Sequence, residues 1–203
     1  MNLYFRLLLR LLASYRAPRI STADETRQWF RVWPHDIDVF GHMNNGRYLQ
    51  MMDVARTVWM RRCGALGVMR RQRWGAALGG GSIRFRRALK PFARYELTTR
   101  LLGWDSRWFY LEHGFNDAQG RCVAVGLSRA AICSRQGWVR TSEVMDLVDP
   151  GVTAPELPAY VSALGQQEEA MQRCYSAHQQ RTLAPAPTPH FALHEQDQEE
   201  QAA

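Results

Sequence analysis

Lysine is almost missing from this chain: of its 26 basic residues only Lys90 is a lysine, the rest being arginine. Such a bias follows genome composition as readily as function, so the choice of cation carries little. The net charge of +7 does carry something, since a basic surface suits nucleic acid, an anionic membrane or a phosphorylated carrier. Zinc-finger spacing, a ribonucleoprotein aromatic motif and a helix-turn-helix signature are all absent, and nucleic acid is not an expected partner. Cysteine is scarce and scattered: Cys63, Cys122, Cys133 and Cys174 form no CxxC pair. That excludes a dense disulfide framework, and reduced thiols in a cytoplasm are expected. No apolar run approaches the roughly 18 residues of a membrane-spanning helix. No metal-ligand spacing and no internal repeat is found.

What is present begins with MNLYFRLLLRLLASYR, where leucines and aromatics surround Arg6 and Arg10, four residues apart on one helical side. The arginines interrupt the apolar run and no clean cleavage site follows, which argues against a signal peptide. Two readings stay open for this amphipathic basic segment, residues 1–20. It lies on an anionic membrane surface through residues 1–16, or it packs on its own domain or a partner subunit. From Thr26 to Trp33 the aromatic-rich run predicts a first strand, ended by Pro34. A loop from His35 to Gly41 leads to Asn44 and Asn45, both good N-caps. Tyr48, Met51, Met52, Ala55, Val58, Trp59 and Arg62 then recur at helical spacing, predicting one helix of about 17 residues that stops near Gly64.

Period-two alternation follows at Ile83–Phe85 and Tyr95–Leu101, then in runs from Trp108 to Phe115 and Arg121 to Cys133, with Val139 closing a short last strand. Turns fall at Gly103–Ser106 and Asn116–Gly120. A strand, a long helix and several antiparallel strands predict an α+β domain, a sheet wrapped around one helix, over residues 21–148. An extension with a helix from about Ala159 to Gln180 occupies 149–183. The tail from Ala184, with three prolines and four acidic residues, reads as disordered.

Between Pro34 and Tyr48 the chain gathers Asp36, Asp38, His42, Asn44, Asn45 and Tyr48 on a loop and a helix start. A loop carboxylate can attack a carbonyl or activate water. The free N–H groups of a helix start can hold the oxyanion that forms, each donor contributing about 3 kcal/mol to the transition state. Ordinary capping and turn chemistry explains the same residue types, and spacing alone does not choose.

The block DxDxxGHMNNxxY, followed by LQMMDVAR, resembles the opening motif of the 4-hydroxybenzoyl-CoA thioesterase family of hotdog-fold proteins. RWGAALGGGSIRFRRALKPFARYELTTRLLGWDSRWFYLEHGF resembles the central strands of an acyl-CoA thioesterase subgroup that includes eukaryotic relatives with an N-terminal membrane segment. The resemblance covers residues 25–140; the aspartate–histidine–asparagine block is specific, the strands less so. It implies a hotdog fold, a curved antiparallel sheet around a long central helix, assembled as a homodimer or homotetramer with active sites at the subunit interface.

Carried over by position, Asp38 matches the catalytic aspartate, nucleophile or general base. His42 and Asn45 match motif positions beside it, and Tyr48 a recurrent tyrosine. Asp53 falls where relatives often have an acid. Backbone N–H groups from Asn45 through Gly46 to Arg47 would polarise the carbonyl. Several alternatives stand beside these roles: Asp36 caps or pairs with an arginine, His42 orients the loop rather than moving protons, Tyr48 is a packed aromatic, and Asp53 pairs with Arg56. Met51, Met52, Trp59 and Met60 are core or acyl-pocket lining. Arg84 and Arg86, with Arg87 and Arg94, are candidate phosphate binders for coenzyme A, or simply a solvated strand face.

The expectation is hydrolysis of an acyl-CoA to free acid and coenzyme A, without metal or cofactor, in the cytoplasm or at the inner face of its membrane. A non-catalytic acyl-CoA- or lipid-binding protein of the same fold is the alternative. Hydratases of this fold use a GDxNPxH stretch, which is absent.

Overall fold

Every neighbouring pair of strands in the sheet is antiparallel, and burial alternates most clearly along the first, from Thr26 to Arg31. In the computed structural model, which describes residues 3–183 with side chains to 176, the strands are β1 (Thr26–Arg31), β2 (Gly75–Phe85), β3 (Arg94–Trp104), β4 (Phe109–Asp117), β5 (Cys122–Ser134) and β6 (Gly137–Trp138). They run in the order β1-β3-β4-β5-β2, with β6 on β5. Helices are α1 (Leu3–Tyr15), α2 (Asn45–Cys63), α3 (Ala65–Gln72), α4 (Thr141–Val148) and α5 (Ala159–Leu183). A curled antiparallel sheet around α2 is the hotdog architecture the resemblance implied. The tail from Ala184, expected to be disordered, lies outside the described residues.

The chain divides into two units, Met1–Gly165 and Gln166–Ala203. Over its described residues the second is the continuation of α5, with Glu169 and Arg173 paired at 3.8 Å one turn apart.

The amide of Asn44 sets where α2 begins: its Oδ1 accepts the Gly46 N–H at 2.8 Å. At the other end Gly64 takes a left-handed conformation (φ 90°), which a residue with a Cβ adopts only under strain. Met51, Met52 and Ala55 bury one face of α2 against Phe30, Tyr95, Leu97, Phe115 and Ala124 of the sheet. Further along, Trp59 and Cys63 meet Leu111, Ile132 and the apolar sides of α3 and α4.

Three features differ from the sequence expectation. First, β2 begins at Gly75, not near Ile83, because AALGGGS shows no alternation to read. Its small residues answer to close neighbours instead: a Cβ on Gly79 would lie 2.2 Å from the Trp108 ring, and one on Gly81 2.7 Å from the Leu127 carbonyl. Second, α3 and α4 are additional, each only 8 residues long, too short for periodicity to stand out. Third, the last strand is Gly137–Trp138, and Val139 follows it, buried, donating to the Ile132 carbonyl at 3.0 Å.

The amphipathic segment forms α1 and packs on its own domain against α2, with Leu3 and Leu7 joining the core. Its arginines do not form an outer basic side: Arg6 is buried, and Arg10 reaches the Trp29 carbonyl and lies 4.6 Å from the Phe30 ring centroid. The residues turned outward are Tyr4, Phe5, Leu8, Leu9, Leu12 and Tyr15.

Candidate active site

Proline at position 34 starts a single 3₁₀ turn, Pro34–Asp36, at the end of β1. The chain then doubles back on itself. Asp38 N–H donates to the His42 carbonyl at 2.9 Å, Asn44 N–H to the Asp36 carbonyl at 2.8 Å, and Ile37 bridges to Met43. Gly41, at φ 77°, closes the turn with its N–H on the Asp38 carbonyl. This small ladder sets Asp36 opposite the N-cap Asn44 and Asp38 opposite His42, two rungs from the start of α2.

The carboxylate of Asp38 is half-buried and asymmetrically used. Its Oδ1 accepts the N–H groups of Phe40 at 2.9 Å and His42 at 3.4 Å, whereas Oδ2 accepts no hydrogen bond among the described residues. One oxygen is thus held and the other open among the described residues. The His42 imidazole, also half-buried, has no hydrogen-bond partner among the described residues.

Of the three N–H groups expected to polarise a carbonyl, two are already engaged. Gly46 N–H goes to Asn44 Oδ1, and Arg47 N–H to the Asn44 carbonyl at 2.9 Å. The N–H of Asn45, at the first turn of α2, has no acceptor among the described residues, and this exposed position is where the helix dipole is positive.

Asp36 has the opposite character to Asp38. It is 1% exposed, and its Oδ2 receives Arg6 Nη2 at 2.5 Å and the Trp33 N–H at 2.9 Å. Arg47 Nε stands 3.5 Å from its Oδ1, and Arg47 Nη2 donates to the His35 carbonyl at 3.0 Å. Arg47 therefore clamps the loop to α2, and its guanidinium is not free for substrate. Arg6 was missed by sequence reasoning. Its signal was a charged residue in the inward 3, 7, 10, 14 register of α1, legible only once the inward side is known.

The other predicted residues divide by position. Tyr48 is 2% exposed, edge-on to Phe85 and tilted against Phe115 at ring-centroid distances of 5.1 and 5.0 Å, with its hydroxyl on the Leu89 backbone. Burial pushes that hydroxyl up to about 12, so it stays protonated, and its contacts are those of the core. Its ring ties the end of β2 to the first turn of α2, and Met43 N–H meets the Leu89 carbonyl at 2.9 Å. Because Phe85 turns toward Tyr48, strand alternation turns the exposed Arg84 to the opposite face of the sheet, and among the described residues no contact joins Arg84 or Arg86 to the loop; Arg87 Nη1 is held by the Cys122 carbonyl at 2.6 Å. Asp53 lies about 12 Å along the helix from Asn45, exposed and paired with Arg56, and the structure does not bring it to Asp38. Arg94 lies over the Trp29 ring on the far strand, away from β2.

Met51 and Met52 are core. Trp59 and Met60 border an apolar cavity of about 50 Å³ between α2 and the sheet, room for small groups and not for a long acyl chain.

A protein of Xenopus laevis, Protein THEM6, is 35% identical over 133 residues, 64% of this chain and 62% of that protein. The Danio rerio Protein THEM6 is 40% identical over 100 residues, 49% and 50% of the two chains. Thioesterase lcsJ of Purpureocillium lilacinum is 32% identical over 108 residues, 44% of this chain and 35% of that one. The chain spans less than two thirds of the length of these relatives. Among solved structures, YbaW of Escherichia coli superposes with a TM-score of 0.57 at 19% identity, over 63% of this chain and 98% of that one. A Staphylococcus aureus protein solved in complex with CoA gives 0.54 at 13% identity, over 69% and 94%. At such identities the two structures speak for the fold alone. Over residues 32–165 the sequence matches the family model of the thioesterase-like superfamily, and to that superfamily the chain belongs.

Proposed function

We propose that this protein hydrolyses an acyl-CoA thioester to free acid and coenzyme A, with Asp38 as the reacting carboxylate. The observation that carries the reading is the asymmetry of Asp38, Oδ1 fixed by two backbone N–H groups and Oδ2 unengaged among the described residues, two rungs of the loop's ladder from the N-cap of α2. As a nucleophile, Oδ2 attacks the thioester carbon, the C–S bond breaks, and water then cleaves the mixed anhydride. As a general base, it takes a proton from water as the water oxygen attacks, and returns that proton to the departing thiolate. In either case the Asn45 N–H is the donor that supports the oxyanion, and the half-buried His42 beside Asp38 orients the loop or the water. The exposed Arg84 and Arg86 would meet the phosphates of the nucleotide end.

Asp38→Asn keeps the loop's hydrogen-bond pattern and removes the attacking charge. Assayed against a panel of acyl-CoAs, it should lose at least about a hundredfold in kcat while retaining affinity, measured by calorimetry. Equal turnover by Asp38→Asn and wild type would end the reading.

A second reading, lipid binding at a membrane surface, is favoured by the six apolar side chains that α1 turns outward. It is compatible with hydrolysis, since that face is on the opposite side of α1 from Arg6.

A further inference from the structure

Arg6 has an unusual position for a charged residue. It is 4% exposed, on the inward side of a mostly apolar helix, and among the described residues its charged and imidazole partners both lie in the candidate site's loop. Nη2 donates to Asp36 Oδ2 at 2.5 Å and lies 3.2 Å from His35 Nε2, while Nη1 points at Met51 Sδ, 3.5 Å away on α2. Asp36 in turn joins the end of β1, through the Trp33 N–H, to the N-cap of α2, through its own carbonyl and the Asn44 N–H. Asp38 is two residues on.

We infer that Arg6 is a positioning residue for the reaction: α1 reaches across the domain and, through the buried Arg6–Asp36 pair, fixes the His35–Asn44 loop that presents Asp38 and the free Asn45 N–H. The inference rests on the reading of Asp38 as the reacting group. Its physical basis is that a buried ion pair adds little net stability over apolar packing, yet removing Arg6 takes from the Asp36 carboxylate its closest, fully buried cation in a low-dielectric place. The carboxylate must then rearrange to find water, and the segment it belongs to moves with it. A displacement of about 1 Å at a reacting group costs up to roughly a hundredfold in rate. Arg47 is the weaker partner: part-exposed, it reaches only Oδ1, with Nε at 3.5 Å, and its Nη1 and Nη2 are engaged by Gln50 and His35, so among the described residues Oδ2 keeps no cation without Arg6.

Three variants of the full chain separate positioning from plain stability: Arg6→Met, Arg6→Lys, and Arg6→Met combined with Asp36→Asn. Each is measured for acyl-CoA hydrolysis, for melting temperature, and for amide hydrogen exchange over residues 35–45. Arg6→Met should lower kcat by roughly 10- to 100-fold with little change in KM, and speed exchange in 35–45 while β3 to β5 exchange as before. Arg6→Lys should recover part of kcat, its ammonium reaching Asp36 but not His35 as well. The double variant, with no buried charge left unpaired, should regain melting temperature without regaining kcat. Unchanged kcat and exchange in Arg6→Met would overturn the inference, and so would recovery of both temperature and kcat in the double variant. If the wild type hydrolyses no acyl-CoA, the functional reading fails by itself. Loop exchange in Arg6→Met then still decides: faster exchange upholds the tether, and unchanged exchange removes it.

Discussion

Asp36 and Asp38 differ in how their carboxylate oxygens are used, and the difference comes from what reaches them. Asp36 is turned inward, where a guanidinium from α1 and a backbone N–H meet it; Asp38 is turned to the half-open side, where only its own turn does. A second buried polar group, His113, shows the same logic in the sheet. It is 0% exposed, with Nδ1 3.0 Å from the Thr99 hydroxyl and Nε2 3.1 Å from that of Ser128. Burial, with the nearby Arg56 charge, pushes its pKa down to about 3 from 6.5. The folded chain therefore binds fewer protons than the unfolded one between these two values. Its stability is complete above pH 6.5 and falls as pH drops through that window, by up to about 1.4 kcal/mol per pH unit. His113→Gln removes the titration. Urea midpoints at about pH 7 and about pH 5 should converge between the two proteins on acidification; parallel losses would mean His113 is not the group responsible. At this scale the motif located Asp38, because loop residues lie close in sequence. The partner of Asp36 is 30 residues away, and no local spacing encodes that distance.

Helix α1 carries its information in the order of its side chains. The inward register holds Leu3, Arg6, Leu7, Arg10 and Ser14, and the outward register is apolar, so the charge pattern runs opposite to that of an ordinary surface helix. The periodicity was legible in the sequence, but which side faced the domain was not, because arginines are expected outside unless a partner such as Asp36 or the Trp29 carbonyl awaits them. The long run of α2 and the alternation of β3 to β5 were legible for the converse reason: their apolar stripes agree with their burial. An outward face of leucines and aromatics fits a membrane interface. Replacing Leu8 and Leu12, 53% and 56% exposed, by Gln should abolish co-sedimentation with phosphatidylcholine–phosphatidylserine vesicles and leave hydrolysis unchanged. Deleting the whole helix would not be equivalent, since Arg6 would go with it. Equal sedimentation of the double Gln variant and wild type would assign that face to another partner.

Across the whole sheet the two edges are treated unlike. The outer edge of β1 is approached by α1, whose Arg10 occupies the Trp29 carbonyl. Strand β2, 11 residues long, pairs with β5 on one side only, and among the described residues no element pairs with its other side. A long open edge invites a second chain. The apolar cavity between α2 and the sheet, about 50 Å³, is too small for a long acyl chain, and a groove completed by a second copy at the β2 edge would offer one more room. A second copy pairing β2 to β2 would bury Leu78, now 56% exposed, and set Arg84 and Arg86 at the seam. Leu78→Glu brings two like charges toward one another across that seam and should turn a dimer into a monomer, read by sedimentation equilibrium over a dilution series. With the substrate groove completed by the second copy, hydrolysis should fall in proportion to the monomer formed, first in KM. A fully active monomeric wild type would show that the site needs no second copy, and the open edge of β2 would then require another explanation.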